Sequence, residues 1–85
     1  MNKNKILIEL YIPSIEKSYD LYIPINKKIG TVKTLIERAL VELTDKAYVI
    51  RKDSNFYSKE TGDVYNVNAS ILDTDLKNGS RIILI

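Results

Sequence analysis

Asn78-Gly79-Ser80-Arg81-Ile82-Ile83-Leu84-Ile85 is the stretch on which the fold turns. Asn-Gly is a tight-turn dipeptide, with glycine free to take the positive φ that other residues resist. Behind the turn, Arg81 to Ile85 reads as a strand apolar on both faces. Such a strand fits the middle of a sheet, flanked on both edges, better than an edge.

Working back from it, residues 66 to 80 look irregular and are anchored by Ile71, Leu72 and Leu76. Phe56-Tyr57 and Val64-Tyr65 flank Ser58-Lys59-Glu60-Thr61-Gly62-Asp63, a small hairpin with Gly62 at its positive-φ position. Asp53-Ser54-Asn55 is a turn signal, and Tyr48 to Arg51 reads as a short third strand. Before that the period changes. Val32, Leu35, Ile36, Ala39, Leu40 and Leu43 make one apolar stripe at helical spacing, with Lys33, Glu37, Arg38 and Glu42 off it as a solvated face. Thr31 is the expected N-cap, which places the helix at about Thr31 to Leu43. Thr44-Asp45-Lys46 closes it without a glycine.

At the start of the chain, Ile6, Ile8, Leu10 and Ile12 alternate with Leu7, Glu9 and Tyr11, the period of a strand with one buried face. Pro13 to Lys17 interrupts it, and Tyr19, Leu21 and Ile23 alternate with Asp20 and Tyr22 until Pro24. The pair is an antiparallel hairpin. A hairpin, a crossing helix and further strands ending in a very apolar one exclude an all-parallel sheet. The expected fold is α+β: a β-grasp, or ubiquitin-like, mixed sheet with one helix packed across one face and the last strand parallel to the first at its centre. Another two-layer α+β sandwich is the alternative. The chain reads as one domain over residues 1–85, residues 1–4 forming a flexible N-terminus.

Length and composition narrow the function. Eighty-five residues, 45% hydrophobic and 28% charged, bury only about 60–65% of their unfolded surface and leave little mass for a deep cleft. Thirteen Lys+Arg against eleven Asp+Glu give +2, which names no partner. With no cysteine and no histidine, disulfides, thiolate nucleophiles, Cys/His zinc sites and iron–sulfur clusters are excluded, as is the usual general base near neutral pH. Ile6-Leu7-Ile8 is too short for a signal peptide core, and no stretch approaches a membrane span, so a cytoplasmic location is expected.

Leu10-Tyr11-Ile12-Pro13-Ser14-Ile15-Glu16-Lys17-Ser18-Tyr19-Asp20-Leu21 resembles the opening hairpin of the YukD/EsaB-type small ubiquitin-like proteins of Gram-positive bacteria. Pro24-Ile25 before the helix, and Leu76-Lys77-Asn78-Gly79-Ser80-Arg81 before an apolar last strand, resemble the same family. The resemblance implies a cytosolic accessory protein of type VII (WXG100-type) secretion; related domains occur fused to a membrane component of that machinery. Residues Phe56 to Asn68 match it least.

Ubiquitin-type modifiers and sulfur carriers need a flexible Gly-Gly tail, whereas this sequence stops at Ile85 within the expected strand. A modifier or sulfur-carrier relative lacking that tail is therefore the alternative reading, together with a self-associating small domain. Ser18 and Ser58 have no histidine to activate them. Asp63, Asp73 and Asp75 are read as turn and cap residues, since a calcium loop needs more oxygen ligands at fixed spacing. Lys3, Lys5, Lys27 and Lys28 with six tyrosines raise single-stranded nucleic acid, but acids such as Glu9, Glu16 and Asp20 interrupt every basic run. No catalytic residue, metal, cofactor, nucleic acid or membrane insertion is expected.

The sheet face away from the helix carries the functional expectation. If Ile8, Leu10, Leu21, Ile82 and Leu84 point at the helix, alternation turns Leu7, Tyr11, Ile83 and Ile85 outward. Val49 or Ile50 from the third strand joins them, depending on register, with Arg51 of that strand, Arg81 and Glu9 at the rim. An apolar patch there is a docking site for a protein partner, a membrane-associated secretion component being the candidate, unless residues 53–70 cover it or it pairs two copies. The expected state is a monomer or weak homodimer and the expected activity non-enzymatic, a non-conjugated ubiquitin-like adaptor.

Overall fold

A computed structural model describes residues 4–85. The expected flexibility of residues 1–4 lies outside the described residues for 1–3, and Asn4 is tied down: its carbonyl accepts the Ile25 N–H at 2.9 Å. Strand β1 (Lys5–Ile12) passes through a 3₁₀ turn at Pro13–Ile15 into β2 (Lys17–Pro24). Glu16 closes that turn in the left-handed region, φ 52, donating its N–H to the Pro13 carbonyl. Helix α1 (Ile29–Leu43), a short β3 (Phe56–Ser58), a second 3₁₀ turn (Ile71–Asp73) and β4 (Ser80–Leu84) follow.

The sheet order is β2-β1-β4-β3. β1 runs antiparallel to β2 and parallel to β4, and β3 is antiparallel to β4. This is the ubiquitin-like β-grasp, with the apolar last strand at the centre. The turn that feeds it is built as the Asn-Gly pair implies: Gly79 has φ 89 and donates its N–H to the Leu7 carbonyl, while Asn78 Oδ1 accepts the Leu7 N–H at 2.8 Å.

Alternation sets the core. Ile8, Leu10, Ile12, Ile23, Ile82, Leu84 and Phe56 face the helix and are almost wholly buried, closed from the other side by Ile29, Val32, Ile36 and Leu40.

Four readings need correction. The helix begins at Ile29, two residues before Thr31, and no side chain caps it. Carbonyls from a distant loop do so instead: Ile29 N–H donates to Ala69 and Gly30 N–H to Val67, each at 2.9 Å. The helical stripe is only half covered, for Leu35 and Leu43 are 52% and 62% exposed. Tyr48 to Arg51 is not a strand, because the edge of β4 is already taken by β3, Phe56 opposite Leu84. Leu72 anchors nothing and is exposed, whereas Ile71 is buried. The small hairpin exists as a single Tyr57–Val64 bridge, with Gly62 at φ 79.

The docking of the 66–70 loop makes Gly30 a close-approach glycine: an added Cβ would lie 3.1 Å from the Val67 carbonyl oxygen and 3.4 Å from its Cβ. Alanine improves helix propensity by about 1 kcal/mol, but here it pushes away the loop that caps the helix. Gly30→Ala is expected to lower the melting temperature by a few degrees. A rise would mean that the loop yields at no cost.

Candidate functional site

Strict alternation along four paired strands defines the outer sheet face. Register places Ser18, Tyr11, Ile83 and Tyr57 in one row across β2-β1-β4-β3. The next row holds Asp20, Glu9 and Arg81, and beyond it lie Tyr22 and Leu7. Leu7, Tyr11, Ile83 and Tyr57 are half-buried, while Tyr22 is 68% exposed. Ile85 continues the alternation past β4, held by reciprocal backbone bonds to Asn55 of 2.9 and 3.1 Å, and is exposed.

The face therefore combines an aromatic and aliphatic row with an acidic and basic one. Residues 53–70 overhang part of it through two side chains. Lys59 Nζ lies 6.0 Å from the centre of the Tyr11 ring, within cation–π range. Glu60 Oε1 pairs with Arg81 at 2.9 Å. Of the rest of that segment, Tyr57 belongs to the face and Val64 is bridged to it, while Ala69 and Val67 reach the helix N-terminus.

Leu7, Tyr11, Ile83 and Ile85 thus share one face. Val49 and Arg51 do not belong to the sheet; they lie on the connection between α1 and β3, where Val49 is 68% exposed and Arg51 pairs with Asp53 at 3.1 Å. Tyr57 and Tyr22 complete the face and were not singled out from the sequence, because only strand register shows that they join it.

A second constellation contradicts the sequence reading outright. Glu37, assigned to the solvated helix face, is 3% exposed. Its Oε1 accepts from Lys33 Nζ at 2.9 Å and its Oε2 from Tyr48 Oη at 2.6 Å. The Ser54 hydroxyl lies 3.2 Å from the same Oε2 and 2.9 Å from the Arg51 carbonyl. Burial acts to raise the Glu37 pKa, but the bonds from Tyr48 and Lys33 and the Lys33 charge together outweigh it and hold the carboxyl below its ordinary value. Burial, then the Glu37 carboxylate, push the Tyr48 phenol upward. These bonds from α1 to Tyr48 and Ser54 pin the connection after α1. The same connection leaves the helix through Asp45 and Lys46, both with positive φ (50 and 68), with Thr44 Oγ1 accepting the Tyr48 N–H at 2.9 Å.

A polar cleft of about 380 Å³ lies between the small hairpin and the turn before β4, lined by Ser58, Glu60, Tyr65, Asp75, Lys77 and Arg81. Two pairs of its groups bond each other: Tyr65 donates to Asp75 at 3.0 Å and Arg81 pairs with Glu60. Burial and then Asp75 push the Tyr65 phenol up to about 12. Ser58 Oγ accepts the Thr61 N–H within the hairpin, and Ser18 is exposed on β2. Among the described residues no three acids gather in a metal-holding group, Asp73 closing the 3₁₀ turn while Asp75 accepts from Tyr65. No helix among them is long and apolar enough to cross a membrane.

No protein-family model matches the sequence, and no curated protein matches it. Solved structures do. The ubiquitin-like domain of the Mycobacterium tuberculosis type VII secretion system protein ECCD1 superposes with a TM-score of 0.74 at 13% identity, over 95% of this chain and 97% of that one. A chain described under molecular mimicry of SUMO that promotes DNA repair gives 0.73 at 16% identity, over 100% of this chain and 95% of that one. A chain of the MycP5-free ESX-5 inner membrane complex gives 0.71 at 11% identity, over 96% of this chain but 21% of that much longer one. At these identities the likeness establishes the ubiquitin-like fold.

Proposed function

We propose that this chain is a non-conjugated ubiquitin-like adaptor that binds protein components of a type VII-like secretion system, in the cytoplasm and without chemistry of its own. The observation that carries the proposal is the Tyr11–Ile83–Tyr57 row across the sheet face away from the helix. Aromatic and aliphatic side chains supply the affinity of such a surface, and the adjoining Glu9, Asp20 and Arg81 orient the partner. The likeness to ubiquitin-like domains of ECCD1 and the ESX-5 inner membrane complex supports the choice of partner class.

The test is native co-purification from detergent-solubilised cells with tagged wild type and Ile83→Asp, both first confirmed to be folded. Recovery of secretion-membrane proteins with wild type, reduced tenfold or more by Ile83→Asp, is expected. Equal recovery would move the binding site off this face. Recovery of another copy of the chain alone would replace the adaptor by a self-associating domain.

A further inference from the structure

Of the asparagines in the sequence, Asn78 alone precedes a glycine. That sets it apart chemically, because Gly79 has no side chain to shield its amide nitrogen from the side-chain carbonyl carbon of the residue before it. In the fold the pair is exposed and stands immediately before the central strand β4. The Lys77 carbonyl accepts the Ser80 N–H at 3.0 Å, closing a four-residue turn with Gly79 at its positive-φ position. Ser80 Oγ accepts the Lys77 N–H at 3.0 Å and braces the same turn. Both groups that could react with each other are held by Leu7 instead. Its N–H donates to Asn78 Oδ1 and its carbonyl accepts the Gly79 N–H, each at 2.8 Å. These two bonds extend the β1–β4 ladder one residue beyond the Ile8–Ser80 pair, with a side-chain amide in the place of a backbone carbonyl.

We propose that Asn78 is a site of self-modification, deamidating through Gly79 at a rate set by local opening of this turn. The Gly79 amide gives its proton to solvent base and its nitrogen attacks Asn78 Cγ. The bond from Cγ to the side-chain nitrogen breaks, ammonia leaves, and a succinimide ring closes. Water then adds to one of the two ring carbonyls. Cleavage of the nitrogen from Cγ gives an ordinary aspartyl residue; cleavage from the main-chain carbonyl carbon gives an isoaspartyl linkage. The net change is one water taken up and one ammonia released, with nothing oxidised or reduced. While the turn is closed, the Gly79 proton is committed to the Leu7 carbonyl and the Asn78 amide is anchored on the Leu7 N–H, so reaction requires both bonds to open. They lie at the surface, where such opening leaves the core intact. The two products differ in consequence. An aspartate still accepts the Leu7 N–H and places a negative charge beside Leu7. The isoaspartyl linkage inserts a methylene into the main chain between Lys77 and Ser80, so the turn closure and the Leu7 bonds no longer fit together. Modification is thus an irreversible record of how often this end of the β1–β4 pair opens, and it is independent of any partner on the outer sheet face.

The test incubates the full chain at mildly alkaline pH, folded and in urea, and uses mass spectrometry of proteolytic fragments to locate converted residues and to separate aspartyl from isoaspartyl product. Conversion confined to Asn78 is expected, slower in the folded chain than in urea by roughly tenfold or more. Ser80→Ala, which removes the brace on Lys77, should speed conversion of the folded chain several-fold and leave the rate in urea unchanged. Gly30→Ala, which loosens a distant contact, should leave the folded-state rate unchanged within about twofold. The purified isoaspartyl chain should lose hydrogen-exchange protection at the Leu7 and Gly79 amides, whereas Asn78→Asp should keep it. Equal rates in the folded and urea-treated chain, no conversion of the folded chain while the urea sample reacts to completion, conversion of another asparagine at the same rate, or equal acceleration by Gly30→Ala and Ser80→Ala would each overturn the proposal.

Discussion

Leu84→Asp is expected to abolish folding, whereas Ile83→Asp one residue earlier is expected to leave a native domain. Leu84 is 1% exposed in the central strand, opposite Phe56 at 2%, within the hydrophobic core. An unpaired carboxylate there must either stay ionised in an apolar interior or take up a proton and remain without hydrogen bonds; either outcome, with the lost leucine packing, costs at least about 5 kcal/mol. A domain of this size has roughly 4–13 kcal/mol in total. Ile83 points to the opposite face, between Tyr11 and Tyr57, where water reaches the side chain. Its replacement loses about 1–2 kcal/mol of half-buried contact. Far-UV circular dichroism and amide spectra of the two variants decide the matter. If Ile83→Asp unfolds and Leu84→Asp does not, the two faces of the sheet have been assigned backwards.

That contrast was legible in sequence because period two is a local property. Ile8, Leu10 and Ile12 declare their face without reference to any other strand, and β4 inherits its central place from its own apolar character. The Asn78-Gly79 turn was equally plain, since the positive φ at Gly79 is a property of one residue type. What the sequence could not show was which partner each local feature meets. Thr31 looks like an N-cap, yet the helix N-terminus is satisfied by Ala69 and Val67 from almost forty residues away in the chain. Tyr48 to Arg51 has the composition of a strand, but only one segment can occupy the open edge of β4, and Phe56–Ser58 does so.

The candidate site divides along the same line. Leu7, Tyr11, Ile83 and Ile85 followed from alternation, whereas Val49 and Arg51 depended on a strand that does not form. Tyr22 and Tyr57 join the face through cross-strand register alone. The uncovered part of the helical stripe was hidden for a related reason. Helical periodicity identifies an apolar stripe but not how much of it a four-stranded sheet can cover, and it is the Leu35, Ala39 and Leu43 side of the stripe that extends beyond the cover.

Glu37 is the position where local reasoning fails most, and its removal is the second large effect expected. Its charge and its place off the apolar stripe both indicate solvent, yet it is buried with donors from positions 33, 48 and 54 converging on it. Glu37→Ala leaves the Tyr48 hydroxyl without its acceptor and an ammonium at Lys33 without its counter-charge, while the Ser54 hydroxyl keeps the Arg51 carbonyl at 2.9 Å, a loss of about 3 kcal/mol. In a domain of this length that lowers the melting temperature by on the order of 15 °C. Glu37→Gln keeps an acceptor for Tyr48 and loses the ion pair, so it should cost about a third as much. Acid dependence separates the two contributions. Because the folded-state pKa of Glu37 is depressed, its stabilisation is complete above the ordinary carboxylate value of 4.5 and is lost as pH falls from there through the folded-state value. Tyr48, raised above its ordinary 10.0, retains its proton throughout that range. Urea unfolding at a series of pH values from 7 downward should therefore show a wild-type stability that falls more steeply in acid than that of Glu37→Gln, the two curves converging at the lowest pH. Parallel curves would mean that the Glu37 carboxylate is not held by these donors in solution, and that some other contact fixes the connection between α1 and β3.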